Sequence, residues 1–244
     1  MNRLILLLSM ALLLLSNSVD SQIRVGVIEY DFTIDLHRNI PPEREAMKAM
    51  IPQFRESRHQ LVFNSHQSIY KELVDEDAEI QSHGPGRGMR MAMQMPRSET
   101  FVDREAREIV VQQDFIGTTY LISEALELGP WRMGDEILEV AGYDCMMAWK
   151  NDTVLNQEIT AWFTMQLPPF LGPERYVDLP GTVLAVDINN GERVWVAREI
   201  ILDDPDESLI QQPTRGQKLT RDEFNEMMRE QLERMNRQGR QNRF

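Results

Sequence analysis

Apolar residues recur at every second position along most of this chain and at helical spacing in two places only. The alternation is clearest from Thr182: Thr182, Leu184, Val186 and Ile188 share one side, and Val183, Ala185 and Asp187 the other. Asn190-Gly191 suits a two-residue type I′ turn. The register that turn sets puts Val186 opposite Trp195 and Ala185 opposite Val196. Both faces of this hairpin are largely apolar, which places it inside a sheet and not at its rim. Just upstream, Pro180 presets the φ of a turn's second position, and Gly181 supplies the positive φ a type II turn needs next.

The same two-residue period predicts further strands. Ile23 to Leu36 alternates in two phases, with a slip at Val27-Ile28 that a bulge must absorb. His59 to Phe63 and Ser68 to Leu73 read as a hairpin around Asn64-Ser65. Short strands follow at Thr100 to Asp103, Glu108 to Phe115 and Thr118 to Ser123. Trp131 to Val140 pairs with Gly142 to Lys150, and Glu158 to Met165 adds one more before Pro168-Pro169.

Helical spacing occurs at the two ends. After Pro41-Pro42, with Glu43 and Glu45 at the positive end of the dipole, Met47, Met50, Ile51 and Phe54 fall on one face and should pack on the sheet. Near the C-terminus Thr220 and Glu223 form a capping box, and Phe224, Met227, Met228, Leu232 and Met235 follow as an apolar stripe. The last residues, 237–244, are a basic tail. The fold class expected is mainly β (α+β). It consists of a single curled antiparallel sheet, open-barrel or bowl-like, with a short N-terminal helix and a C-terminal amphipathic helix.

The start of the chain reads as an export signal, residues 1–21: Arg3, the apolar run Leu4 to Leu15, and small residues Val19 and Ser21 before Gln22. That run is too short to span a bilayer, and no later segment is apolar enough to do so. Export places the mature chain, residues 22–236 plus the tail, in the periplasm or at the outer membrane of a Gram-negative bacterium. The formal net charge of −13 is the wrong sign for a non-specific nucleic-acid binder. Asp152-Thr153-Val154 matches a short acceptor pattern for O-glycosylation in exported proteins, at Thr153, and is short enough to arise by chance.

Residues 74–98 break the strand pattern. Acidic Asp75 to Glu79 leads into His83 to Gly88, and Met89, Met91, Met93 and Met95 then alternate, so the segment reads as one long insertion between strands. In an extended chain those thioethers project to one side, and soft thioethers select Cu(I). His83 with the four methionines is therefore the candidate metal set, and Cu(I) the candidate cofactor. The alternative is a flexible loop, or an apolar strand face that docks on the sheet or a partner.

Catalytic signatures are absent from the sequence. There is no G-x-S-x-G elbow, no H-E-x-x-H and no phosphate-cradling glycine loop. Cys145, the single cysteine, sits among Tyr143, Met146, Met147 and Trp149 and reads as a small core hydrophobe, with a metal or redox role as the alternative. It serves as a nucleophile only if a base folds beside it.

Several residues in order carry a resemblance. Trp131, Glu136, Gly142, Tyr143 and Cys145 match the first part of the pattern of the GLPGLI family of exported bacterial proteins. Ala161, Trp162, Phe163 and Thr164 match the second. Gly172 and Pro173, then Asp178, Leu179, Pro180, Gly181, Thr182 and Val183, match the third. The chain thus resembles that family over nearly its whole mature length, with Asp178 and Thr182 replacing a Gly and a Leu of the name motif. Cys145, Trp162, Gly172, Pro173, Leu179, Pro180 and Gly181 are its motif residues here. The resemblance supplies no catalytic residue. It is similar also to the bowl-like N-terminal module of a bacterial peptide N-glycosidase, which implies an open, curled sheet. The resulting expectation is a non-catalytic binding or assembly module whose partners are cell-envelope or outer-membrane proteins. A copper-binding protein using the methionine segment is the alternative, and a Cys-dependent enzyme a further one.

Overall fold

A computed structural model describes residues 25–38, 40–73, 97–153, 155–203 and 205–241. The export signal and the whole candidate metal set, His83, Met89, Met91, Met93 and Met95, lie outside them.

The strands are β1 (Gly26–Asp35), β2 (Phe54–Phe63), β3 (Gln67–Glu72), β4 (Ser98–Asp103), β5 (Glu108–Phe115) and β6 (Thr118–Ala125), then β7 (Arg132–Val140), β8 (Tyr143–Asp152), β9 (Gln157–Thr164), β10 (Thr182–Ile188), β11 (Arg193–Ile201) and β12 (Gln217–Thr220). They form one open twelve-stranded sheet in the order β12-β6-β5-β4-β3-β2-β1-β11-β10-β9-β8-β7. Two antiparallel meanders are therefore joined where β1 pairs with β11. Among the described strands only β12 is parallel to its neighbour, β6. The sheet curls: β7 and β11 lie four strand steps apart, about 19 Å in a flat sheet, yet their Cα atoms come within 8 Å.

The concave face carries the main core. Tyr30 and Phe32 of β1, Leu61 of β2, Tyr70 of β3, Phe163 of β9, Val186 of β10 and Trp195 of β11 are all buried there. The β9–β10 connection plugs the bowl with Leu167, Leu171, Tyr176 and Leu179. A second cluster joins Val102, Ile109, Val111 and Ile122 to Val177 of that connection and to Phe224 of helix α1 (Arg221–Gln241). The opposite face of the first meander buries Val62, Ile69, Phe101, Val110 and Leu121 against Ile210. Covered on both sides, β5 reads as an unbroken apolar run, Ile109-Val110-Val111, where a half-exposed strand alternates.

The β10–β11 hairpin lies in the interior of the sheet with the expected register, Val186 opposite Trp195 and Ala185 opposite Val196. The capping box also forms: the Thr220 N–H donates to Glu223 Oε2 at 2.7 Å, and the Glu223 N–H donates to Thr220 Oγ1 at 3.3 Å. Phe224 anchors the helix on the sheet, and α1 runs on to Gln241, into the expected tail.

Four local expectations are corrected. The hairpin loop is wider than two residues: Asn189, Asn190 and Gly191 all have positive φ, and the Glu192 N–H closes it on the Ile188 carbonyl at 3.0 Å. The bulge lies on β11, where the register passes from Glu29↔Glu199 to Tyr30↔Ala197 and leaves Arg198 extra, so Ile28 keeps phase with Tyr30 and Phe32. The segment Pro42–Ala49 is a 3-10 helix with no buried residue, and Met47, Met50 and Phe54 are exposed. The helix ends at Ala49 and Phe54 already opens β2, so Met50, Ile51 and Phe54 share no helical face with Met47. Finally, Gly181 is not a type II turn glycine, since its φ is not positive. A Cβ there would meet the Thr164 carbonyl oxygen at 2.2 Å, so close backbone approach is what requires glycine.

Candidate functional site

The concave face opens into a small cleft of about 40 Å³. Its walls follow from strand alternation. Phe32 comes from β1, Arg55, Ser57 and His59 from β2, Tyr70 and Glu72 from β3, Ser98 from β4, and Glu174 from the β9–β10 connection. Polar residues at the inward positions of β2 and β3, where Leu61 and Phe63 show the apolar alternative, make this end of the bowl chemically distinct.

Aromatic rings fix the geometry. His59 stacks on Tyr70 with centroids 5.3 Å apart and planes 9° from parallel. Phe32 meets His59 edge-on at 5.6 Å and lies 4.5 Å from Trp195, which contacts Tyr176 at 5.8 Å. Ser57 Oγ lies 2.9 Å from His59 Nε2. Burial pushes the His59 imidazole down to about 4, so it is neutral near pH 7.

Three of these groups are incomplete. His59 Nδ1, the Tyr70 hydroxyl and Trp195 Nε1 are buried and find no hydrogen-bond partner among the described residues. Tyr70 and Trp195 are each only 1% exposed. Trp195 is near enough to favour the charged form of Tyr70, but the two complete no hydrogen bond; burial dominates and holds the Tyr70 hydroxyl protonated. Tyr30, by contrast, donates to the Val183 carbonyl at 2.7 Å. An orphaned buried polar group costs about 1–3 kcal/mol, so the two in the most deeply buried of these side chains, Tyr70 and Trp195, need a reason.

Glu174 supplies charge. Burial pushes its carboxyl up, and Arg193, Arg175 and Arg221 act in the opposite direction. Arg221 and Arg175 also reach Glu124 of β6, at 3.1 and 3.7 Å, so the network ties the connection to β6 and α1. The Glu174 backbone has a φ of 49°, a left-handed conformation that L side chains seldom adopt. Strain of that kind gathers at functional sites. A perturbed carboxyl, a neutral histidine and orphaned polar groups in one concave cleft define the candidate site.

The motif residues lie elsewhere and are structural. Cys145 is fully buried in β8; its Sγ donates to the Tyr143 carbonyl at 3.5 Å, and burial pushes the thiol up to about 11. Trp162 packs half-buried against the main core. Leu179 and Pro173 are buried within the plug, and Pro180 lies half-buried near its end. A Cβ on Gly172 would meet the Tyr176 carbonyl oxygen at 2.2 Å, so this glycine lets the plug fold back on itself. Asp178 pairs with Lys150 at 2.7 Å, and the Lys150 ammonium lies 4.1 Å from the centroid of Trp131. Thr153 is exposed at the end of β8. Among the described residues no three His, Cys, Asp or Glu are placed to hold a metal ion, and no helix is long and apolar enough to cross a membrane. Sequence reasoning assigned His59 only to a strand and gave Tyr70 and Glu174 no role. The available signal was inward polar residues alternating along β2, Arg55, Ser57 and His59, in a strand ending in Leu61 and Phe63.

Residues 150–185 match the profile of a family described as a protein of unknown function (Porph_ging). That stretch runs from Lys150 of the Lys150–Asp178 pair through the plug into β10. No curated protein matches the sequence. Two crystal forms of PNGF-II share the fold, with TM-scores of 0.53 and 0.52 at 14% and 15% identity. Each match covers 84% of this chain, and 33% and 32% of those chains, so this chain spans about a third of their length.

Proposed function

We propose that this is an exported, non-catalytic binding or assembly module of the GLPGLI type, in the cell envelope of a Gram-negative bacterium, and that it binds through the concave face of its sheet. Residues 1–21 are the cleaved signal, 22–236 the domain and 237–244 the basic tail, with the folded chain in the periplasm or at the outer membrane. The observation that carries the binding reading is the pair of buried, unpartnered groups beside the cleft, the Tyr70 hydroxyl and Trp195 Nε1. A scaffold with no ligand would gain by replacing them with apolar atoms. Cys145 gives a Cys-dependent enzyme no support, because its buried thiol is not prepared as a thiolate.

The test is thermal unfolding of the purified mature protein with and without the low-mass fraction of a Gram-negative envelope extract. A raised Tm for wild type that Tyr70→Phe does not share, with the bound species recovered unchanged by mass spectrometry, supports the reading. An unchanged Tm in both proteins contradicts it. A second reading rests on the methionine spacing alone: the segment Met89, Met91, Met93 and Met95, with His83, holds Cu(I) through thioether ligands.

A further inference from the structure

The geometry points to a neutral, hydroxyl-rich small molecule, a polyol or the rim of a sugar ring, as the ligand of the cleft between β2, β3 and Glu174. This rests on the binding reading above and names the chemistry of its ligand.

A hydroxyl group donates and accepts at once, so it suits walls that mix fixed acceptors with groups able to do either. Glu72 supplies a fixed acceptor, and the hydroxyls of Ser98 and Tyr70 act either way. His59, neutral and bonded to Ser57 through Nε2, keeps Nδ1 unpartnered. Tyr70 lines the cleft in a residue only 1% exposed, and its hydroxyl, like His59 Nδ1, is buried and unpartnered.

Charge argues against the other ligand classes. An anion entering the cleft meets Glu72 and Glu174. A cation meets Arg55 on the wall and the guanidinium groups of Arg193, Arg175 and Arg221 that act on Glu174. A neutral molecule meets neither repulsion and need not shed the large hydration of an ion. Phe32 adds an apolar wall of the sort that C–H groups of a ring or polyol chain cover. A volume of about 40 Å³ takes the hydroxyl-bearing edge of such a molecule, and the remainder lies over the mouth of the bowl.

Isothermal titration of the mature protein tests this, with glycerol and sorbitol as polyols, neutral mono- and disaccharides, inorganic phosphate as anion and ethanolamine as cation. The expected result is saturable binding of at least one polyol or saccharide and of neither charged probe; which neutral arm saturates tells polyol from sugar. Tyr70→Phe should weaken that binding about tenfold, the worth of one hydrogen bond. Glu72→Gln, at a more exposed position, should weaken it too and guards against a folding defect in the first variant. Binding of a charged probe alone, or binding unchanged in both variants, overturns the inference. If no probe binds but the envelope extract still raises the Tm of wild type, the hydroxyl chemistry is wrong and the binding reading stands. If neither occurs, both fall.

Discussion

The α-carbon of Gly181 lies so close to the carbonyl of Thr164 that a Cβ would stand 2.2 Å from its oxygen. This contact seats the start of β10 against the end of β9 and lets the plug enter the bowl between them. Gly181→Ala should therefore cost about 3 kcal/mol, at the upper end of overpacking effects. Gly142 gives the contrast: its φ is positive, and a Cβ added there would have nothing within 4 Å. Gly142→Ala should cost less, about 1–2 kcal/mol, from the left-handed backbone alone. Urea unfolding of the two variants checks the ranking, and equal losses would contradict it.

The Lys150–Asp178 pair should behave as one half-buried unit. Each side chain is 19% exposed, and the ammonium also faces the Trp131 ring. Lys150→Met alone leaves the Asp178 carboxylate without its cation and should cost about 2–3 kcal/mol. Lys150→Met combined with Asp178→Leu should recover part of that loss, giving a coupling energy of about 1 kcal/mol or more in a double-mutant cycle. Strictly additive losses would show that the pair contributes nothing as a pair.

These two contacts also show what the sequence made legible. Strand alternation located the β10–β11 hairpin and its register, because a two-residue period with both faces buried has few other solutions. It identified Gly181 as indispensable but for the wrong reason, since a φ requirement and a close approach both select glycine. The Lys150–Asp178 pair joins residues 28 positions apart, and only the folded plug brings them together. The cleft was less visible still. His59, Tyr70 and Glu174 come from β2, β3 and a distant connection, and their convergence depends on the curl of the sheet.

His59 should make stability fall as pH falls. Its folded value is about 4 against an ordinary 6.5. Above about pH 6.5 the imidazole is neutral in both states and contributes nothing. Between about 6.5 and about 4 the unfolded chain takes up a proton that the fold refuses, so stability is lost as acid is added. Below about 4 the folded imidazole protonates too, and the loss levels off at no more than about 3.5 kcal/mol. Glu174, whose carboxyl is raised, acts in the opposite sense over acid pH. The difference between wild type and His59→Gln isolates the histidine: the variant should show a shallower fall from pH 7 to pH 4.5 in urea unfolding. Parallel profiles would mean that the imidazole is not held neutral.

Titration with Cu(I) under reducing conditions tests the methionine segment directly. The copper reading expects saturable binding to the mature protein and its loss when Met89, Met91, Met93 and Met95 are all replaced by Leu. Equal affinity in wild type and the fourfold variant would remove it.

Whether the fold keeps a buried hydroxyl for a ligand instead of for itself is the central question, and the unfolding free energy of ligand-free Tyr70→Phe measures this most directly. An orphaned hydroxyl contributes nothing to the free fold, so the variant should be as stable as wild type or about 1 kcal/mol more stable, while losing the Tm rise that envelope extract gives. A loss of more than about 1 kcal/mol in the free protein would show that the hydroxyl already serves the fold, and would contradict the claim that the concave face is a binding site.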